Sequence, residues 1–200
     1  MRGRQIFSKY KNCLLLLSKF YSIFPYKARV SLLELHRNCR GRKGLAIRYA
    51  LLKSVARQCG DNVAIYTGAY LLNPRGLTIG NNVSIHPMCY LECMGGVQIA
   101  DNVSVAHGVT IMSTSHNHND NTSSIKDQDC SSKPVVISEN VWIGAKATIL
   151  YGVSIGRDCI IGANSVVTKN CENNSVYVGS PAKKIKQLYE SNISTRSQIP

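Results

Sequence analysis

From residue 79 onward a branched aliphatic side chain returns at every sixth position. Ile79, Ile85 and Leu91 form one run, Ile99, Val105 and Ile111 a second, and Ile137, Ile143, Ile149, Ile155, Ile161 and Val167 a third. A second register lies four residues after each aliphatic: Val83, Cys89, Gly95, Val103, Val109, Ser115, Val141, Ala147, Val153, Cys159, Ser165 and Cys171, all small or β-branched. Asn and Asp cluster between the hexads (Asn81-Asn82, Asp101-Asn102, Asn140, Asp158), and Gly or Ala often follows the aliphatic (Gly80, Ala100, Ala106, Gly144, Gly156, Gly162). A period of six fits neither the alternation of a half-buried strand nor the 3.6-residue turn of a helix. It predicts a coil of three short strands per turn of about 18 residues, with one large and one small side chain of each hexad facing inward. Gly and Asn take the corners, where positive φ is needed. Stacked coils would bond as parallel strands about 4.8 Å apart. The frame extends upstream through Cys59, Ile65, Leu71 and Leu77, and closes downstream at Val176-Tyr177-Val178. This defines an all-β body, a parallel β-helix, over 59–180, with a protruding loop at 116–134 and a basic C-terminal segment and tail at 181–200.

Residues 1–58 lack this period. Ile47, Ala50, Leu51, Ser54, Val55 and Gln58 recur at helical spacing, with Arg48, Lys53 and Arg57 off the stripe. Ser31–His36 is a second helical candidate, and Gly41 and Gly44 interrupt between the two. The stretch 13–24 is apolar but too short to span a membrane. Its basic lead-in imitates a signal peptide, yet no Ala-x-Ala-like site follows, so the segment is expected to be retained.

Charge separates the two parts. The chain of 200 residues carries a net charge of +13, from 24 Lys and Arg against 11 Asp and Glu. All of the excess lies in residues 1–58, where Glu34 is the only acid; residues 59–200 balance to zero. The body is therefore neutral and the arm basic. A basic arm with an apolar stretch suits an anionic membrane surface; equally, its helices would cover the open edge of the first coil. No stacking pattern or reading helix points to nucleic acid. An apolar content of 44% excludes global disorder. The eight cysteines include no C-x-x-C pair, which argues against a zinc site and for reduced thiols in a cytoplasmic chain.

The run Asn140-Val-Trp-Ile-Gly-Ala-Lys-Ala-Thr-Ile-Leu-Tyr-Gly-Val-Ser-Ile-Gly, continued by Ile161-Gly-Ala-Asn-Ser-Val-Val-Thr-Lys and Val178-Gly-Ser-Pro-Ala-Lys-Lys-Ile, resembles the hexapeptide-repeat acyltransferases. It is most similar to bacterial polysaccharide O-acetyltransferases and to the maltose/galactoside acetyltransferase branch. The resemblance implies a left-handed coil, a homotrimer, and acetyl transfer from acetyl-CoA to a sugar hydroxyl in capsule or O-antigen assembly. It places the catalytic base at His116, in Ser113-Thr-Ser-His116. Imidazole suits the task of taking a proton from the attacking hydroxyl. Ala145 and Ala163 fall on positions whose backbone meets the pantetheine arm, Thr168 and Lys169 lie further along the same face, and Lys183 and Lys186 match basic positions near the nucleotide. An N–H near Ala145 is expected to stabilise the oxyanion.

Three residues are candidates for the acceptor side. Glu92 is expected on an outward position, His118 lies two residues beyond the base, and Trp142 packs in the wall or lines the donor groove. Residues 86–94 read His-Pro-Met-Cys-Tyr-Leu-Glu-Cys-Met, where the small-sugar enzymes carry an Asn-x-Asn and an acidic pair, so those acceptor contacts do not transfer. His86 and His107 occupy outward positions away from the loop. Cys89, Cys159 and Cys171 fall in the interior register, which favours direct attack over an acyl-enzyme.

The rivals are an acetyltransferase for a small-molecule hydroxyl or amine, a non-catalytic scaffold, and a metalloenzyme resembling the γ-class carbonic anhydrases. The His spacing does not match the last, and no metal is expected. The site of action is expected to be cytoplasmic, at the inner face of the membrane if the arm binds lipid.

Overall fold

The computed structural model describes residues 3–188. Three helices, α1 (Gly3–Ser22), α2 (Tyr26–Leu35) and α3 (Gly41–Val55), precede a succession of short strands interrupted by single 3-10 turns at Pro74–Gly76 and Ile125–Asp127. The strands form three parallel sheets, the walls of a prism. The first wall contains Gln58–Cys59, Leu77–Ile79, Val97–Ile99, Val135–Ile137 and Ser154–Ile155. The second contains Ala64–Ile65, Ser84–Ile85, Ser104–Val105, Trp142–Ile143, Ile160–Ile161 and Ser175–Gly179. The third contains Tyr70–Leu72, Tyr90–Glu92, Thr110–Met112, Thr148–Ile149 and Val166–Val167.

The aliphatic period is the inside of this prism. All twelve predicted positions are at most 2% exposed. Strand register stacks them into columns, for example Ile65, Ile85, Val105, Ile143 and Ile161 on the second wall. The corner between the first and second walls is built from Asn62, Asn82, Asn102, Asn140, Asp158 and Asn174, all at φ between 54° and 60°. Asn and Asp tolerate this left-handed conformation better than other side chains with a Cβ. Their side chains also bond from coil to coil: Asn62 Nδ2 donates to Asn82 Oδ1 at 3.0 Å, and Asn140 Nδ2 to Asp158 Oδ1 at 2.6 Å.

The small register departs from expectation at the corner between the third and first walls. Gly95 and Ser115 are only half-buried; Cys93 and Ser113 fill the interior there and are fully buried. Extra residues enter the chain at this corner, so the inward side chain falls two residues after Leu91 and Ile111 instead of four.

The arm covers the first coil. Tyr49, Leu51, Leu52 and Val55 of α3 share a core with Cys59, Val63 and Ile65, and Tyr49 OH donates to the Gly60 carbonyl at 3.2 Å. Arg48 was expected off the buried stripe but is 2% exposed. Its Nε donates to Ile65 O at 2.8 Å, and its Nη1 to His36 O at 3.0 Å and Cys39 O at 2.6 Å. The guanidinium thus ties α3, the end of α2 and the first coil together, and its burial lowers its pKa from the ordinary value. Gly41 and Gly44 lie inside the first turns of α3, not between helices. Helix α1 packs on α3 and leaves Leu16 and Phe20 exposed, as are Ile23 and Phe24 in the turn that follows it. At the other end, Ala182–Gln187 forms an antiparallel strand on Ser175–Gly179. Residues 189–200 of the expected tail lie outside the described residues.

Candidate active site

At the corner between the third and first walls the chain leaves the coil as a hairpin. Thr114–His116 pairs antiparallel with Cys130–Ser132, and His116 stands opposite Cys130. The aperiodic loop read from the sequence thus has an ordered stem. Polar side chains on both faces of that stem concealed it, because strand periodicity needs one apolar face.

The root of the stem is fixed by Glu92. This residue was expected to face outward; it is 8% exposed and lies beneath the corner. Its carboxylate accepts from Met94 N at 2.5 Å, Ser113 N at 2.9 Å, Ser113 Oγ at 3.2 Å and Thr114 Oγ1 at 3.0 Å. Those oxygens are engaged with the strand that carries His116, three residues beyond Ser113. The ring of His116 is exposed, with Nδ1 3.5 Å from Cys130 Sγ. His118 is also exposed, beyond the stem. Cys130 was not singled out from sequence; only the hairpin register brings it beside the imidazole.

The residues assigned to the donor occupy two different corners. Ala145 and Ala163 stack at the corner between the second and third walls, where Asn164 N donates to Ala145 O at 2.8 Å. Among the described residues, the backbone N–H groups of these two alanines donate to no acceptor within the chain. The same corner runs down to the Gly179–Pro181 turn, because Gly179 N donates to Ser165 Oγ at 3.0 Å. Lys183 and Lys186 follow on the exposed terminal strand. Lys184 between them is paired with Glu172 at 2.7 Å, a contact that raises the pKa of the amine and lowers that of the carboxyl. Thr168 and Lys169, expected along the same face as Ala163, follow the third-wall strand Val166–Val167 and so flank the far edge of the wall that Ala163 precedes, at the hairpin corner.

Trp142 is 51% exposed and projects from the second wall immediately before the Gly144-Ala145 turn, so it does not pack inside the wall. Gly144 is required there, since a Cβ would lie 2.5 Å from Ala163 N. Cys89, Cys159 and Cys171 are buried, and burial pushes the Cys171 thiol up to about 12. His86 stacks on Tyr66 with ring centroids 4.9 Å apart. Among the described residues no group of three or more His, Cys, Asp or Glu is placed to hold a metal ion.

Comparison with known proteins agrees with this architecture. Residues 134–169 match the family model described as bacterial transferase hexapeptide (six repeats). A galactoside O-acetyltransferase of Lactococcus lactis is 43% identical over 63 residues, which cover 32% of this chain and 30% of that protein. This chain spans less than a third of the length of the curated relatives it matches first. Among solved structures, a maltose O-acetyltransferase from Clostridium difficile superposes with a TM-score of 0.73 at 28% identity, covering 82% of this chain and 86% of that one. A galactoside acetyltransferase in complex with coenzyme A gives a TM-score of 0.65 at 28% identity, covering 81% of this chain and 80% of that one.

Proposed function

We propose that this chain, built on the hexapeptide repeat of bacterial transferases, is an acetyl-CoA-dependent O-acetyltransferase that uses His116 as general base on a sugar hydroxyl. The observation that carries this reading is the division of parts around the prism. One corner offers a ladder of free backbone N–H groups ending in lysines, and the next corner offers an imidazole on a braced hairpin. The galactoside and maltose O-acetyltransferases among the similar proteins support a sugar as acceptor.

When bound, acetyl-CoA supplies the acetyl group as an activated thioester. Ala145 and Ala163 would hold its extended amide arm by their N–H groups, and Lys183 and Lys186 would neutralise its phosphates. Trp142 borders that column. His116 accepts the hydroxyl proton as the acceptor oxygen bonds to the acetyl carbon, and would return it to the sulfur as the thioester C–S bond breaks, so that the coenzyme leaves as its free thiol. A fixed imidazole is worth on the order of 10²–10⁴ in rate at this step. The buried thiols take no part.

The two corners are one wall apart, about 20 Å for six extended residues. A donor lying along Ala145 and Ala163 of one copy would therefore meet His116 of a neighbouring copy, and a closed ring of three copies completes each site. This supports the homotrimer. Leu16 and Phe20 of α1 and Ile23 and Phe24 of the turn that follows it are exposed, Lys9, Lys19 and Lys27 are exposed nearby, and the helix has no acidic residue. That face suits peripheral attachment to an anionic membrane. No described helix is long and apolar enough to cross one. A lipid-linked precursor of a capsule or O-antigen glycan, acetylated on the cytoplasmic side, fits such a location.

The test is calorimetric titration with acetyl-CoA, followed by measurement of released thiol with a panel of sugar and amine acceptors. Binding with turnover on sugars supports the proposal. Turnover confined to amines would assign a different acceptor, and neither binding nor turnover would leave a scaffold.

A further inference from the structure

We propose that Cys130 positions His116 for this reaction: its sulfur accepts the imidazole Nδ1–H and leaves the Nε2 lone pair free to take the acceptor proton. The catalytic part rests on the acetyltransferase reading above; the pairing itself does not.

The hairpin register makes the two residues direct cross-strand neighbours, so both side chains emerge on one side of the ribbon. Cys130 Sγ lies 3.5 Å from His116 Nδ1, within reach of a sulfur hydrogen bond. Among the described residues no other partner of that nitrogen is found. The pair is held from both ends. On the root side, Glu92 grips Ser113 and Thr114 of the leg carrying His116. On the next rung outward, Asn117 N donates to Asp129 O at 3.0 Å, and Asn117 Oδ1 accepts from Ser131 Oγ, on the root side of the pair, at 2.5 Å. The backbone on either side of the ring is therefore tied down, and the remaining freedom is the ring's own rotation and its choice of tautomer.

A neutral imidazole carries one N–H, and the partner at one nitrogen decides whether the other is a donor or an acceptor. A sulfur accepting from Nδ1 leaves Nε2 as the base. A thiol donating to Nδ1 would leave Nε2 protonated and unable to accept the hydroxyl proton. The remaining cysteines cannot substitute. Cys59, Cys89, Cys93, Cys159 and Cys171 are buried in the coil, Cys13 lies on α1, and Cys39 lies between α2 and α3.

The experiment uses the full chain labelled with ¹⁵N at histidine. Long-range proton–nitrogen correlation reads the tautomer of His116 at a pH where the ring is neutral, with the signal assigned by its loss in His116→Asn. The wild type is expected to hold the Nδ1–H form. Cys130→Ala should shift the ring toward Nε2–H, and Cys130→Ser, whose hydroxyl also accepts, should restore the wild-type form. In acetyl transfer, Cys130→Ala should lower kcat by about tenfold, a part of the general-base effect, with KM for acetyl-CoA unchanged. An Nε2–H wild type, or a tautomer indifferent to Cys130→Ala, would overturn the proposal. So would wild-type kcat in Cys130→Ala. A wild type that binds no acetyl-CoA and transfers nothing would instead refute the acetyltransferase reading, and with it the catalytic role, while the tautomer comparison still decides the pairing.

Discussion

Ile143→Ala tests the architecture on which the site stands. Ile143 is fully buried in mid-column, registered with Val105 on one side and Ile161 on the other. The substitution removes three carbons, a transfer loss of about 2.4 kcal/mol at ~0.8 kcal/mol per buried methylene. Neighbours on both sides limit collapse, so about half the vacated volume should persist and add about 1 kcal/mol at ~24 cal/mol per Å³. The expected cost is about 3.4 kcal/mol. Val167 supplies the internal control. It too is buried, but its strand is the last of the third wall, paired only with Thr148–Ile149. Val167→Ala removes two carbons beside an end that can relax, for about 2 kcal/mol. Equilibrium urea unfolding, followed by Trp142 fluorescence and far-ultraviolet dichroism at one fixed protein concentration, measures both. Keeping the concentration fixed matters because assembly adds to apparent stability. A cost below about 1 kcal/mol for Ile143→Ala would mean that the aliphatic column does not hold the coil. Equal costs for the two variants would mean that neighbouring coils do not brace one another.

Three other perturbations address separate parts of the molecule. Glu92→Ala removes the acceptor shared by Met94, Ser113 and Thr114; kcat should fall on the order of tenfold or more as the hairpin root loosens, with acetyl-CoA affinity retained by titration. Arg48→Ala leaves the buried carbonyls of Cys39 and Ile65 without their donor and removes one of two donors to His36 O; a loss of about 3 kcal/mol should appear as a lower Tm and faster proteolysis between α2 and α3. Burial raises the thiols of Cys59, Cys93 and Cys171 to about 12 from an ordinary 9.0. Folded values above the unfolded one mean that stability is complete below about pH 9 and declines as pH rises toward 12. The Tm should therefore fall as pH rises from about 9 toward 12, and a flat profile would contradict the burial of these thiols.

The coil was legible because its rule is local and repeated: each hexad must place one aliphatic inside and bend at an Asn or Gly. Every aliphatic of the frame from Ile79 through Val167 is buried, while the bends at Met88 and Lys146 take positive φ without Asn or Gly. The arm was half legible. The apolar stripe of α3 follows helical spacing, but the burial of Arg48 depends on carbonyls contributed by three separate segments, which no local pattern records. The same distinction divides the site. His116 could be picked out by motif, whereas the burial of Glu92 depends on where the corner takes its extra residues. Cys130 becomes visible only once the hairpin register is known. Thr168 and Lys169 lie just past the third-wall strand Val166–Val167, at the far edge of the wall whose near edge carries Ala145 and Ala163.

The most direct test of the account is acetyl-CoA-dependent acetylation of a sugar acceptor by the wild type and by His116→Ala, read as released thiol and as acetylated product. The variant should bind acetyl-CoA as tightly as the wild type and transfer on the order of 10²–10⁴ more slowly. Near wild-type transfer by His116→Ala would contradict the assignment of the base.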